Sequence, residues 1–171
     1  MPLIPARLLE ILQMGGSVVG IFDLIKESLP ASGQYLPAQN LQDETASLTQ
    51  SLFRTCGPDG RAALGPIPPR WEPGDRIACL PAQGRGFHLP LTARRMGLLS
   101  LKGDPIRILP LIQPALAQGA AVALFFQERP HPDLLDVIPA SVEISPLSLL
   151  QENLTWPDFL AVEARRENLK D

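Results

Sequence analysis

Nineteen prolines are spread along this chain of 171 residues, about twice the usual frequency of ~5%. Each proline removes a backbone N–H donor and fixes φ, so long uninterrupted helices are excluded and the elements must be short. The prolines do not gather in one tail but punctuate the whole chain. The run Gly65-Pro66-Ile67-Pro68-Pro69 has to be extended, because proline also pushes the residue before it out of helical space.

Hydrophobic residues make up 45% of the chain and charged residues 19%, which supports a packed core and argues against wholesale disorder. The length suits one ordinary domain or two small ones. A net charge of −3 gives no basic footprint for nucleic acid. No apolar run reaches the roughly 18 residues that a membrane span needs. Met1 to Glu10 lacks the apolar core and small-residue cleavage site of a signal peptide. A soluble, cytoplasmic protein is therefore expected. Cys56 and Cys79 are the only cysteines. A disulfide framework is not expected, and this chain alone cannot supply a four-thiolate iron–sulfur or zinc site.

Short extended pieces separated by turns fill the first half. Leu8–Met14 reads as strand or short helix, and periodicity does not settle which. Ser17–Ile25 is β-branched and aromatic, and favours a strand. Gln34-Tyr35-Leu36 is extended, Pro37–Ala46 reads as polar loop, and Leu48–Phe53 as a further strand. Pro73-Gly74-Asp75 is a tight turn before a strand over Arg76–Leu80, and Gly84-Arg85-Gly86 follows as a loop open to close approach. This rhythm favours a small antiparallel barrel or sandwich. The strands are few for a full barrel, so an abbreviated or open form is expected.

The rhythm changes after Pro90. Met96–Leu101 and Ala121–Phe126 read as strands buried on both faces. Asp104-Pro105 can start a helix over Ile106–Gln118, which Pro110 and Pro114 must shorten, kink or split, and Gly119 can end it. Ser141–Ile144 is a third strand, Pro146–Glu152 a short helix and Phe159–Val162 a fourth strand. Strand–helix–strand units at this spacing imply right-handed crossovers and a parallel sheet. The expected division is residues 1–90 as the barrel and 91–171 as an α/β domain.

The motif order resembles the ferredoxin–NADP reductase superfamily, and within it the electron-transfer subunit of dihydroorotate dehydrogenase. Ser32-Gly33-Gln34-Tyr35 is similar to a "PGQY" segment of that branch. Pro73-Gly74-Asp75 through Pro81-Ala82-Gln83-Gly84-Arg85-Gly86-Phe87 is similar to its barrel-ending "PGD" and "GPLG-x-GF" motifs. Leu101–Leu111 occupies the place of its glycine-rich nucleotide turn. The resemblance implies a flavin-binding-like barrel, a nucleotide-binding-like α/β domain, and cofactor contacts at Tyr35, Gly84, Arg85, Gly86, Phe87, His88 and Gly103.

The departures are chemical. Ala46–Phe53 lacks the family's "R-x-(Y/F)-(S/T)" arginine, with Arg54 following as a charge at a strand end. Gly103 alone remains of the nucleotide turn, and Asp104 would repel a pyrophosphate there. No "CGP" motif and no cysteine cluster follows Cys79. These losses point to a motif-degenerate, non-catalytic or weakly cofactor-binding accessory subunit of a larger complex, with a protein partner and no resident cofactor. The alternatives are an electron-transfer oxidoreductase module that binds FAD and/or NAD(P)H, and a small-ligand binder at the interdomain cleft near Arg85 and His88. No catalytic triad or metal-ligand spacing is present; His88 reads as ligand contact or ordinary polar residue, and Arg85 with Arg94-Arg95 as anion clamp or solubilising charge.

Overall fold

The computed structural model describes residues 2–43, 49–101, 105–152 and 155–164. Six antiparallel strands close a barrel: β1 (Ile4–Met14), β2 (Ser17–Phe22), β3 (Tyr35–Asn40), β4 (Gln50–Cys56), β5 (Ala62–Gly65) and β6 (Arg76–Cys79). Their order around the barrel is β1-β2-β5-β4-β3-β6, and β6 pairs with both β3 and β1. The barrel is thus closed, where an open form was one of the two expectations.

The ambiguous Leu8–Met14 belongs to strand β1, which makes a hairpin with β2 through Gly15-Gly16. The expectation of a loop from Pro37 onward is corrected, because β3 runs to Asn40. Pro37 has no N–H for the ladder, but its carbonyl accepts from the Leu80 N–H at 2.8 Å. Leu36 and Ala38 are buried inside the barrel, while Gln39 faces out. Polar composition concealed this strand because one of its faces is wet.

The barrel is filled by Leu8, Phe22, Leu36, Leu52, Leu64, Trp71, Ile77 and Cys79. Phe22 and Trp71 meet edge to face at 6.4 Å between centroids, a favoured aromatic geometry. Gly20 lets β1 and β2 approach, since a Cβ there would lie 2.5 Å from Leu8 Cδ1.

The Pro73-Gly74-Asp75 turn closes the barrel. Gly74 has φ 103°, and its N–H donates to the Leu8 carbonyl at 2.7 Å. The Asp75 carboxylate accepts from the Glu72 N–H at 2.9 Å and from Asn40 Nδ2 at 2.6 Å. One turn therefore ties β1, β3 and β6 together.

Pairing becomes parallel in β7 (Arg95–Leu101), β8 (Ala121–Phe126), β9 (Glu143–Pro146) and β10 (Phe159–Ala164), in the order β10-β7-β8-β9. The crossovers carry α1 (Ile112–Ala117), α2 (Pro132–Leu135) and α3 (Leu147–Glu152). The stretch expected as a split helix is a 3₁₀ turn over Leu109–Leu111 followed by α1, and Gly119 ends it at φ 77°. Asp104, the expected helix cap, lies outside the described residues.

Met96, Leu98, Val122 and Leu124 on one sheet face pack with α1, α2 and the outer barrel residues Met14, Val19, Ile21 and Ala63. Leu99, Ala123 and Phe125 on the other face pack with Leu150 of α3. Burial on both faces explains the continuous apolar strands. At the start of the sheet, the Asp158 carboxylate accepts from the Arg94 and Arg95 N–H groups, each at 3.0 Å, and from Arg95 Nη2 at 2.7 Å. These bonds join the starts of β7 and β10.

Two outcomes follow from this packing. Leu52→Ala is expected to destabilise the fold by about 2–5 kcal/mol in chemical denaturation, as for other fully buried leucines. Asp158 is held below its usual pKa by the hydrogen bonds from Arg95 and Arg94. A carboxyl with a lowered folded pKa stabilises above its unfolded value near ~3.9 and loses that contribution as pH falls. Asp158→Asn should therefore flatten the acid limb of the stability–pH curve below about pH 4, read by thermal melts.

Candidate functional site

The glycine-rich loop expected to meet a cofactor is folded back on the barrel's own Ala31–Gln34 turn. Tyr35 and Gln83 exchange backbone hydrogen bonds at 3.1 and 2.8 Å, and the Tyr35 hydroxyl donates to Gln83 Oε1 at 3.3 Å. Gln34 Nε2 donates to the Gly84 carbonyl at 3.2 Å. The Phe87 N–H donates to the Ser32 carbonyl at 2.7 Å. Gly33 and Gly84 adopt φ 86° and 84°. A Cβ on Gly33 would lie 2.8 Å from Phe87 Cδ2, so the glycine makes room for the phenyl ring.

Arg85 and His88 are exposed, and Phe87 is 40% exposed. Gly86 lies in the same loop, against Ser32 and Gln34. The structure thus brings Tyr35, Gly84 and Phe87 together with the 31–34 turn and leaves Arg85 and His88 at the surface. Gly103 lies outside the described residues. The expected Arg94-Arg95 basic patch has structural partners: Arg95 pairs with Asp158, and Arg94 Nη1 donates to the Leu91 and Gln118 carbonyls.

A contact that the sequence did not announce joins the barrel to the end of the parallel sheet. Tyr35 and Phe53 are cross-strand partners with ring centroids 5.6 Å apart. The Arg107 guanidinium lies over the Phe53 ring, with Cζ 3.9 Å from the centroid, a cation–π geometry. Glu163, near the end of β10, accepts from the Arg107 N–H at 2.9 Å and faces Arg107 Nε at 3.7 Å. Three residues distant in sequence form one clasp. No local motif signals it.

Two concavities open on the surface of the fold. One, of about 460 Å³, lies at the carboxyl ends of β8 and β9 and is lined by Phe126, Glu128, Arg129, Leu135, Ile144 and Ser145 among others. The other, of about 830 Å³, separates the β4–β5 corner from α1 and the segment after α2. Arg54, Thr55 and Cys56 line it on the barrel side. Arg54 is half-buried here, in place of the solvated strand-end charge expected. Thr55 is only 1% exposed, and its Oγ1 has no hydrogen-bond partner among the described residues. A hydroxyl left so costs about 1–3 kcal/mol. Ser32 carries the glycine-loop turn to the rim of this cleft.

Both cysteines are reduced. Burial pushes the Cys56 thiol up, opposed in part by Arg54, and pushes Cys79 up to about 11, so neither is a thiolate nucleophile at neutral pH. Among the described residues, no group of three or more His, Cys, Asp or Glu side chains converges to hold a metal. No helix among them is long and apolar enough to cross a membrane.

Gly33→Ala is expected to cost about 1–2 kcal/mol from the left-handed backbone alone, and more from the collision with Phe87. Its effect should appear as a lower melting temperature with faster proteolysis in the 84–88 loop.

No family model and no curated protein sequence matches the chain. Solved structures do. A ferredoxin reductase in carbazole 1,9a-dioxygenase aligns over 97% of this chain and 60% of its own length, at 13% identity and TM-score 0.65. A mutant ferredoxin–NADP+ reductase from Plasmodium falciparum in complex with 2′P-AMP aligns over 98% of this chain and 88% of its own, at 9% identity and TM-score 0.63. A flavohemoglobin from Malassezia yamatoensis with bound FAD and heme aligns over 96% and 61%, at 12% identity and TM-score 0.53. The chain therefore spans about three fifths of the carbazole-dioxygenase reductase, and at these identities the likeness is one of fold. A closed six-stranded antiparallel barrel followed by a four-stranded parallel sheet with helices gives this chain the fold of the ferredoxin–NADP+ reductase-like proteins.

Proposed function

We propose that the chain is an electron-transfer reductase-type module of a larger redox assembly, and that it engages a flavin or nicotinamide nucleotide weakly at the carboxyl edge of its parallel sheet. The observation that carries this reading is the concavity at the ends of β8 and β9. Open parallel sheets hold ligands outside the carboxyl ends of their strands. There Arg129 offers a guanidinium for a phosphate, and Phe126 and Ile144 offer apolar surface. The solved neighbours lend support, since their chains include two reductases and a flavohemoglobin with bound FAD. The motif order, which resembles that of the electron-transfer subunit of dihydroorotate dehydrogenase, supports the same reading.

A bound flavin would supply the exchange between two-electron and one-electron carriers. The protein's own contribution is binding and orientation. Tyr35 and Phe53 present an aromatic surface on the barrel, next to the sheet's edge. Arg107 covers Phe53, so a planar ring can stack there only if the guanidinium swings aside. The Glu163 carboxylate beside it disfavours a phosphate at the same spot. These two features make affinity weak. They also favour a second reading, an accessory subunit that keeps the fold and binds no cofactor.

The test is direct. The purified protein should gain thermal stability with FAD or NADH only at high ligand concentration. Arg107→Ala should tighten FAD binding by about tenfold, close to 1.4 kcal/mol, measured by quenching of flavin fluorescence. Failure of either ligand to shift melting in both wild type and Arg107→Ala would leave the cofactor-free accessory reading in its place.

A further inference from the structure

We propose that the cleft between the β4–β5 corner and α1 is a separate binding site for a small amphipathic anion, an apolar body carrying one carboxylate head. It shares no lining residue with the concavity at the carboxyl ends of β8 and β9. Its volume of about 830 Å³ falls within the ~300–1,000 Å³ usual for small-ligand pockets.

The two walls differ in chemistry. On the barrel wall, Arg54 has no ion-pair partner among the described residues, whereas Arg61 is held by Glu10 at 2.8 Å. Thr55 beside it is almost wholly buried, and its hydroxyl, without a partner among the described residues, is closed off from the cleft. A guanidinium with no ion-pair partner among the described residues suits an oxygen acid. The opposite wall is apolar, built from Leu109, Pro110, Ile112 and Pro114. Its prolines offer no N–H donors. Asp136 follows α2 on that side, and its charge directs an anionic head away from itself and toward β4. A ligand with one charged end and one apolar end matches both walls in one orientation.

Octanoate is the probe, with the neutral octanamide as its control, in calorimetry and in ¹H–¹⁵N shift mapping of the full chain. Octanoate is expected to bind one to one and to shift the amides of Thr55–Gly57 and Ile112–Ala117. Octanamide and the Arg54→Gln variant should each bind about tenfold more weakly. Ala117 is exposed on α1 and lines the cleft, so Ala117→Trp should fill the space without disturbing the core and abolish binding. Gln113→Trp, also at an exposed position of α1 in the lining, provides the same block should Ala117→Trp fold poorly. The proposal is overturned if octanoate does not bind the wild type, or if Arg54→Gln leaves affinity unchanged. It is equally overturned if binding survives a folded blocking variant, or if the shifts cluster at Phe126–Pro130 instead.

Discussion

An apolar cluster joins the barrel to the parallel sheet. Met14, Val19, Ile21 and Ala63 lie on the outside of the barrel, and would face water if the barrel stood alone. They are buried against Leu109, Ile112, Ala115, Leu134 and Ile138, with Met96, Leu98 and Leu124 of the sheet behind. Removing that much apolar surface from water is the dominant favourable term in such an association. It also fixes how the barrel sits on the sheet, because close-packed interiors do not slide continuously. The larger cleft opens where α1 and the segment after α2 draw away from the β4–β5 corner.

Polar clasps set the register around that contact. Arg107 reaches from the sheet to Phe53 on the barrel and is held from behind by Glu163. Asp158 binds the starts of β7 and β10. Asp75 gathers the Pro-Gly-Asp turn onto Asn40 and, through that turn, onto β1. Exposed ion pairs contribute little by themselves. Their value here is geometric, since each connects segments more than thirty residues apart in sequence. The same clasp that steadies the junction also covers the barrel's aromatic pair, so structural fixity and ligand access oppose each other at Phe53.

Much of the fold was legible in the chain because it is written in local chemistry. Spaced prolines and glycines set short elements, and unbroken apolar runs marked β7 and β8. Pro-Gly-Asp marked the turn before β6. The site was less legible. Gly84-Arg85-Gly86-Phe87 promised a ligand loop on sequence grounds, yet its neighbour is the protein's own 31–34 turn, and Gly33 serves Phe87. Strand β3 was hidden by Pro37 and by its polar outer face. Arg107, Thr55 and Arg54 carried no motif, because their roles depend on partners brought in by the fold.

The sequence by itself determined the kind of architecture: short antiparallel strands, then buried parallel ones, with turns at many of the prolines and glycines. These follow from φ restrictions and from hydrophobic period, which act over a few residues. Only the tertiary structure decided that the six strands close into a barrel, that the glycine loop packs on the 31–34 turn, and that Arg107 caps Phe53. It also decided that Arg54 shares a cleft with an apolar wall. Those outcomes depend on which surfaces meet across the chain, and long-range packing against a common apolar core is a property of the folded whole.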